Sequence, residues 1–341
     1  MKTGEFAYHR QNRFAIFTMI CSLGAGLTTT ATAGDFSRSA VGTTGSEFLN
    51  VDVGPRGIAM GVAYSAVTAD AFSLYWNPAG LSQVPKASFA AMHNEYLAGI
   101  KMQYLAYAHR LDENSVLAGG LRYMDVGPID GADINGNPTA SFRPRNYVYE
   151  AGWGQKINDL SDSERDISLG VTGRFLHSDL LAHADGFAGD LGVQAHYTEA
   201  ALPFQFSFVA QNMGKGQKFD QVRDTLPFRG RFGAAIQPNR FSLASLELVL
   251  PASNQPFLAV GSEMVLETPG GVTAALRGGY NSFIQTGGVE GFRGLSFGFG
   301  VKLMNFSVDY AFVPFGILGD SHRVSVGWNL PGRQNRRFRE R

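Results

Sequence analysis

The chain has 341 residues, enough for one large domain or two ordinary ones, and charged residues make up only 17% of it where soluble domains carry roughly 25%. That shortage, together with 42 glycines, argues against an ordinary cytoplasmic enzyme. Lys plus Arg and Asp plus Glu are equal at 29 each, leaving no basic excess for nucleic acid, and no window approaches the ~18 apolar residues of a membrane-spanning helix.

Residues 1–33 read as a secretory signal. Lys2, His9, Arg10 and Arg13 form a positive start, Phe14 to Leu27 an apolar core, and Ala31-Thr32-Ala33 a small-x-small cleavage site. Ile20 before Cys21, the only cysteine, is too bulky for a lipoprotein signal. Cleavage near Ala33 removes that cysteine, so no disulfide or thiolate chemistry is expected of the remainder.

Residues 34–85 are rich in small side chains and locally helical in pattern. Two short helices are expected, over Gly57 to Ala63 and Ala71 to Trp76, with Asp70 capping the second and Asn77-Pro78 ending it.

From Lys86 the hydrophobic period changes to two. Phe204, Phe206 and Phe208 alternate with Gln205 and Ser207, and Leu295, Phe297, Phe299 and Val301 alternate with Ser296, Gly298, Gly300 and Lys302. Fourteen such segments occur up to residue 330, followed by a basic tail, 331–341. Their number is even, and most are long enough for the ~9–11 residues with which a tilted strand crosses a bilayer. Connections alternate between short (111–113, 199–202, 238–241) and several long ones (126–144, 214–227, 281–291), which predicts a transmembrane barrel with both termini in the periplasm. A secreted sandwich or propeller also has many alternating strands, but Tyr147, Tyr149, Trp153, Tyr197, Tyr310 and Trp328 near strand ends suit interfacial girdles better. The expected fold is an all-β, fourteen-stranded antiparallel transmembrane β-barrel with a small helical plug at its N-terminus. Charge placed at Phe206, Phe297 or Val308 should block insertion, whereas Ser207, Ser296 and Ser307 should tolerate it.

Two segments carry a resemblance. Phe48 to Gly61, followed by Tyr75-Trp76-Asn77-Pro78-Ala79-Gly80-Leu81, resembles the N-terminal signature of the PorV/PorQ family of outer-membrane proteins, and Asp309 to Phe312 with Pro314 to Arg323 resembles its closing hairpin. Asn-Pro-Ala-Gly is shared with the wider FadL-like group, where it lies in a hatch inside a fourteen-stranded barrel. The resemblance implies an outer-membrane barrel whose helical N-terminus folds into the lumen. Arg56, Gly57, Gly61, Asn77, Pro78 and Gly80 then belong to the hatch, as structure or as ligand contacts. Glu150, Arg174, Asp190, Arg229, Arg231, Glu247, Lys302 and Asp309 should face the lumen, in salt-bridge networks or in a passage role.

Enzyme chemistry is not expected, nor any cofactor or metal. Gly294-Leu295-Ser296-Phe297-Gly298 fits G-x-S-x-G but lies inside an alternating strand, not the strand-turn-helix of a nucleophile elbow. Asp133, Asn135 and Asn137 have the spacing of calcium ligands, but Pro138 stands in place of the loop glycine and no glutamate closes the loop. Two functions remain. One, implied by the PorV resemblance, is binding of secreted cargo sorting domains and their transfer to translocon or attachment proteins in type IX secretion. The other is FadL-like passage of hydrophobic small molecules. Outer-membrane lipid is a partner in either case, and nucleic acid in neither.

Overall fold

The computed structural model describes residues 36–157, 166–198, 200–285 and 294–332. The signal segment and most of the basic tail lie outside the described residues. Alternation of apolar and small or polar residues produces sixteen strands: β1 (Ala87–Glu95), β2 (Lys101–Arg110), β3 (Ser115–Asp125), β4 (Ile129–Ala132), β5 (Pro138–Phe142), β6 (Arg145–Ile157), β7 (Asp166–Asp179), β8 (His183–Tyr197), β9 (Phe204–Lys215), β10 (Arg229–Asn239), β11 (Ser242–Pro251), β12 (Phe257–Glu267), β13 (Val272–Asn281), β14 (Leu295–Leu303), β15 (Phe306–Pro314) and β16 (Asp320–Leu330). All but β4 and β5 form a closed antiparallel barrel in which each strand pairs with its sequence neighbours. Pairing of β1 with β16, from Ala87 opposite Leu330 to Glu95 opposite His322, closes the ring and leaves no free edge. The fourteen-stranded fold expected from the periodicity is therefore present. β4 and β5 make a separate hairpin within the long 126–144 connection.

Side-chain direction shows which face meets lipid. Phe206, Phe232, Leu246, Leu258, Leu276, Phe297, Val308 and Val326 all point outward and are each about half exposed, whereas Ser207, Ser245, Ser296 and Ser325 on the opposite parity are buried. An apolar exterior around a closed ladder satisfies every strand's backbone internally, as a hydrocarbon environment requires. Aromatic pairs collect near the strand ends. Tyr197 stacks on Phe204 at 4.4 Å and Phe306 on Trp328 at 6.3 Å beside the short turns, and Tyr123 packs on Tyr147 at 5.0 Å beside the long loops.

The barrel is filled, and residues 48–84 supply most of the filling. Their helices differ in extent from expectation. The first spans Pro55–Ala59 and stops before a tight turn in which Gly61 (φ 66°) and Val62 (φ 69°) adopt left-handed backbone. The second is a single turn, Ser73–Trp76, preceded by Phe72. Asp70 accepts a hydrogen bond from the Phe72 amide at 2.9 Å, so it fixes the approach to the helix without occupying its capping position. Asn77, extended at φ −165°, ends it and opens a 3-10 turn, Pro78–Gln83.

Candidate functional site: the plug, its ionic clamps and the mouth cavity

The plug lies directly on barrel backbone wherever the wall carries glycine. Gly154, Gly170 and Gly192 stand side by side on β6, β7 and β8. Their inner surface is a shelf on which Asn77 and Pro78 rest, and a methyl group at any of the three would overlap them. Across the lumen, Ser245, Gly261, Gly279 and Ser296 form a matching row over β11 to β14 beneath Met60 and Gly61. The serine hydroxyls add hydrogen bonds: Ser245 donates to the Ala63 carbonyl at 2.7 Å, and Ser296 donates to that of Ala59 at 3.1 Å while accepting from the Gly61 amide at 3.0 Å. That occupies the serine of the G-x-S-x-G pattern within a strand.

The hatch residues named from sequence have separate positions. Asn77 Oδ1 accepts from the Ala79 amide at 3.1 Å, while its Nδ2 donates to the carbonyls of Ser65 at 3.0 Å and Val193, on β8, at 3.1 Å. Gly57 leaves room for the rings of Tyr64 and Trp76, and Gly80 for the Thr68 carbonyl. Arg56 reaches the wall and holds Glu263 through Nη2 at 2.6 Å and Nε at 2.8 Å, a bidentate pair.

Three ionic clusters clamp this plug. In one, Arg122 and Arg174 share Glu150 Oε1 at 2.8 and 3.0 Å, Arg174 Nη1 binds Asp190 Oδ1 at 2.6 Å, and Arg122 also donates to the Leu49 carbonyl at 3.2 Å. A β-bulge at Asp190 accompanies this cluster: Asn212, with φ 60°, donates its amide to Asp190 at 2.8 Å and accepts from Arg174 at 3.0 Å. In the second, Arg231 pairs with Glu247 and donates to the Val62 carbonyl at 2.8 Å. Glu247 Oε2 accepts from the amides of Tyr64 and Ser65, both at 2.9 Å. The third joins Arg56, Glu263, Arg277 and Asp309, the last pair at 2.6 Å. Each cluster holds as many cations as carboxylates. Trp76 lies under the Arg231 guanidinium at 4.8 Å and Tyr75 under that of Arg122 at 4.8 Å.

Of the lumenal residues named from sequence, Glu150, Arg174, Asp190, Arg231, Glu247 and Asp309 lie in these clusters. Arg229 stands apart, 3.6 Å from Asp52 of the plug. Lys302 shares the inward parity but is exposed near the short-turn end of β14, outside the clusters. Arg122, Glu263, Arg277 and Arg323 were not singled out from sequence, although each is a charge inside a strand whose other parity is apolar. Ser207 and Ser296, expected to tolerate charge as lumenal residues, are both buried against the plug, Ser207 at 2.8 Å from Ser65 Oγ, which argues against that tolerance.

At the long-loop end a cavity of about 120 Å³ remains between plug and wall. Asp52, Ile58, Val62, Arg229, Phe257, Phe283, Leu295, Phe315 and Arg323 are among its lining residues. The Asp133 region, on the hairpin outside the barrel, is an Asx turn. Its carboxylate accepts from the Asn135 amide at 2.8 Å, the Asn137 amide at 2.9 Å and the Asn137 side chain at 2.9 Å, and this last bond is the largest factor holding its pKa below the usual value.

Comparison with known proteins agrees with this architecture. The family model described as type IX secretion system protein PorV matches residues 35–237. No curated protein sequence matches the chain. Among solved structures, the Pseudomonas putida toluene transporter TodX is similar with 14% identity and a TM-score of 0.51, over 82% of this chain and 99% of that one. The CymD monoaromatic hydrocarbon channel gives 11% identity and a TM-score of 0.51, over 82% and 98%. At these identities the structural likeness speaks to the fold alone.

Proposed function

This chain belongs to the family of the type IX secretion system protein PorV, and on that premise we propose that it is an outer-membrane barrel that receives the sorting domain of a secreted cargo protein at the long-loop mouth and passes it to attachment proteins. The observation that carries this reading is the filled lumen. Residues 48–84 bridge the wall through glycine shelves and paired charges, so a folded partner is met at the rim. The mouth has the means to meet one. The β4–β5 hairpin and residues 218–225, between the buried Gln217 and Leu226, present exposed side chains there, with Ile134 and Val222 fully or largely exposed. On this reading the signal segment is cleaved near Ala33, both termini lie on the periplasmic side, and the hatch is structural.

The test is removal of residues 129–142, which form an independent hairpin, followed by pull-down from detergent extract. We expect the trimmed barrel to stay folded and lose its bound secreted protein. Retention of cargo by the trimmed barrel, together with uptake of a hydrophobic solute that changes when Asn77 and Pro78 are both replaced by Ala, would favour the passage function instead.

A further inference from the structure

Four arginines among the described residues are buried, and three of them, Arg122, Arg174 and Arg231, hold a carboxylate within 3.0 Å. The fourth, Arg323 on β16, is only 4% exposed, and no carboxylate lies within 4 Å of it among the described residues. Its Nε and Nη1 are buried without a hydrogen-bond partner, and its one close neighbour of note is the Tyr96 ring, 5.8 Å from the guanidinium carbon. Asp52, the acid on the cavity wall, is committed elsewhere, to Arg229 at 3.6 Å and to the Tyr75 hydroxyl at 2.8 Å. A buried charge left unpaired is strongly unfavourable, and buried charges are as a rule paired, so an anion from outside the chain would relieve this one.

Arg323 lines the mouth cavity, and the strand ends around it open toward the long loops. The same cavity has an apolar part, with Phe257 against Phe283 at 5.0 Å and Leu295 also on its lining, while Arg231, which lines it too, is paired with Glu247. We infer that this cavity binds an organic carboxylate, its head paired with the Arg323 guanidinium and its short apolar body against Phe257, Phe283 and Leu295. A planar guanidinium matches a carboxylate in a two-bond fork. A single uncompensated cation suits a monoanion better than a phosphate dianion. At about 120 Å³ the cavity is of the same order as the ~150 Å³ apolar cavity that accommodates benzene, which limits the apolar body to about one ring. This site stands independently of the cargo reading, because it rests on the wall and plug and not on the rim hairpins.

The probe is benzoate, titrated calorimetrically into the full chain in a non-ionic detergent, against benzamide as its neutral isostere. We expect benzoate to bind at least tenfold more tightly than benzamide, and Arg323→Gln to remove that difference. Arg323→Gln should leave the unliganded barrel with an equal or higher unfolding midpoint, because the free protein loses an unpaired charge, whereas a merely structural arginine would lower it. Equal binding of benzoate and benzamide to the unaltered chain, or no binding of benzoate, overturns the proposal without recourse to any variant. Displacement of benzoate by inorganic phosphate at equal concentration overturns the carboxylate assignment. A tripeptide with a free C-terminal carboxylate, compared with its amide, separates the sources: displacement by the free peptide alone marks a polypeptide terminus, and displacement by neither marks a small free acid.

Discussion

Gly192 illustrates how far a single residue is set by what lies against it. It is in the middle of β8, where glycine weakens a strand, yet it faces the Asn77 side chain and the Pro78 ring so closely that no Cβ fits. Replacing it with Val forces either the wall or the plug to move, an overpacking cost of about 1–3 kcal/mol. We expect Gly192→Val to raise amide hydrogen exchange across residues 55–84 while strand protection persists. Gly119→Val, on the outer face where a Cβ makes only an ordinary 3.7 Å contact with the Glu150 carbonyl, should leave exchange unchanged. Equal effects at both positions would refute the shelf. From sequence, these wall glycines were visible only as a compositional excess, because their reason lies on a segment distant along the chain.

At the scale of elements, the plug is short helices and turns with little intrinsic stability, and it is ordered by what surrounds it. Glu247 on β11 accepts from two plug amides and pairs with Arg231 on β10. Glu247→Gln leaves the Arg231 guanidinium buried without its anion, for which about 3–5 kcal/mol of destabilisation is usual. The expected readout is a lowered midpoint for loss of the compact form on unboiled gels. Arg231→Met combined with Glu247→Leu should recover part of it, since removing both charges leaves neither unpaired. If the single and double variants fall equally, the pair acts through volume and not charge. The plug's helices were legible as a change of texture near residue 85, but not in their limits. The first helix begins at Pro55, where proline suits the first turn, and ends where Gly61 must pass beneath Tyr280, a tertiary demand that helical periodicity does not encode.

For the molecule as a whole, the outward apolar band and closed ladder make insertion into lipid the condition for the fold. Phe206→Arg puts a cation on the lipid face, where mid-depth placement costs about 2–4 kcal/mol. We expect a marked fall in the heat-modifiable species in membrane fractions, with Leu181→Arg, at the exposed tip between β7 and β8, behaving as the unaltered chain. Similar yields from both variants would show that the apolar band is not the lipid contact.

Strand number, their alternating connections and the division of each strand into a greasy and a small or polar face were already determined by the sequence, because a period of two is local and survives without any knowledge of partners. The tertiary structure alone decided what the polar face does. Ser207 and Ser296 look from sequence like residues facing water, yet they are hydrogen-bonding contacts with the plug, and Lys302, of the same parity, is left at the rim. The physical reason is that pairing of charges across a lumen depends on which strands stand opposite which turn of the plug. Glu263 meets Arg56 across 207 residues of chain, and Arg323 meets no carboxylate among the described residues, two outcomes that closure of the ring imposes and no local pattern carries.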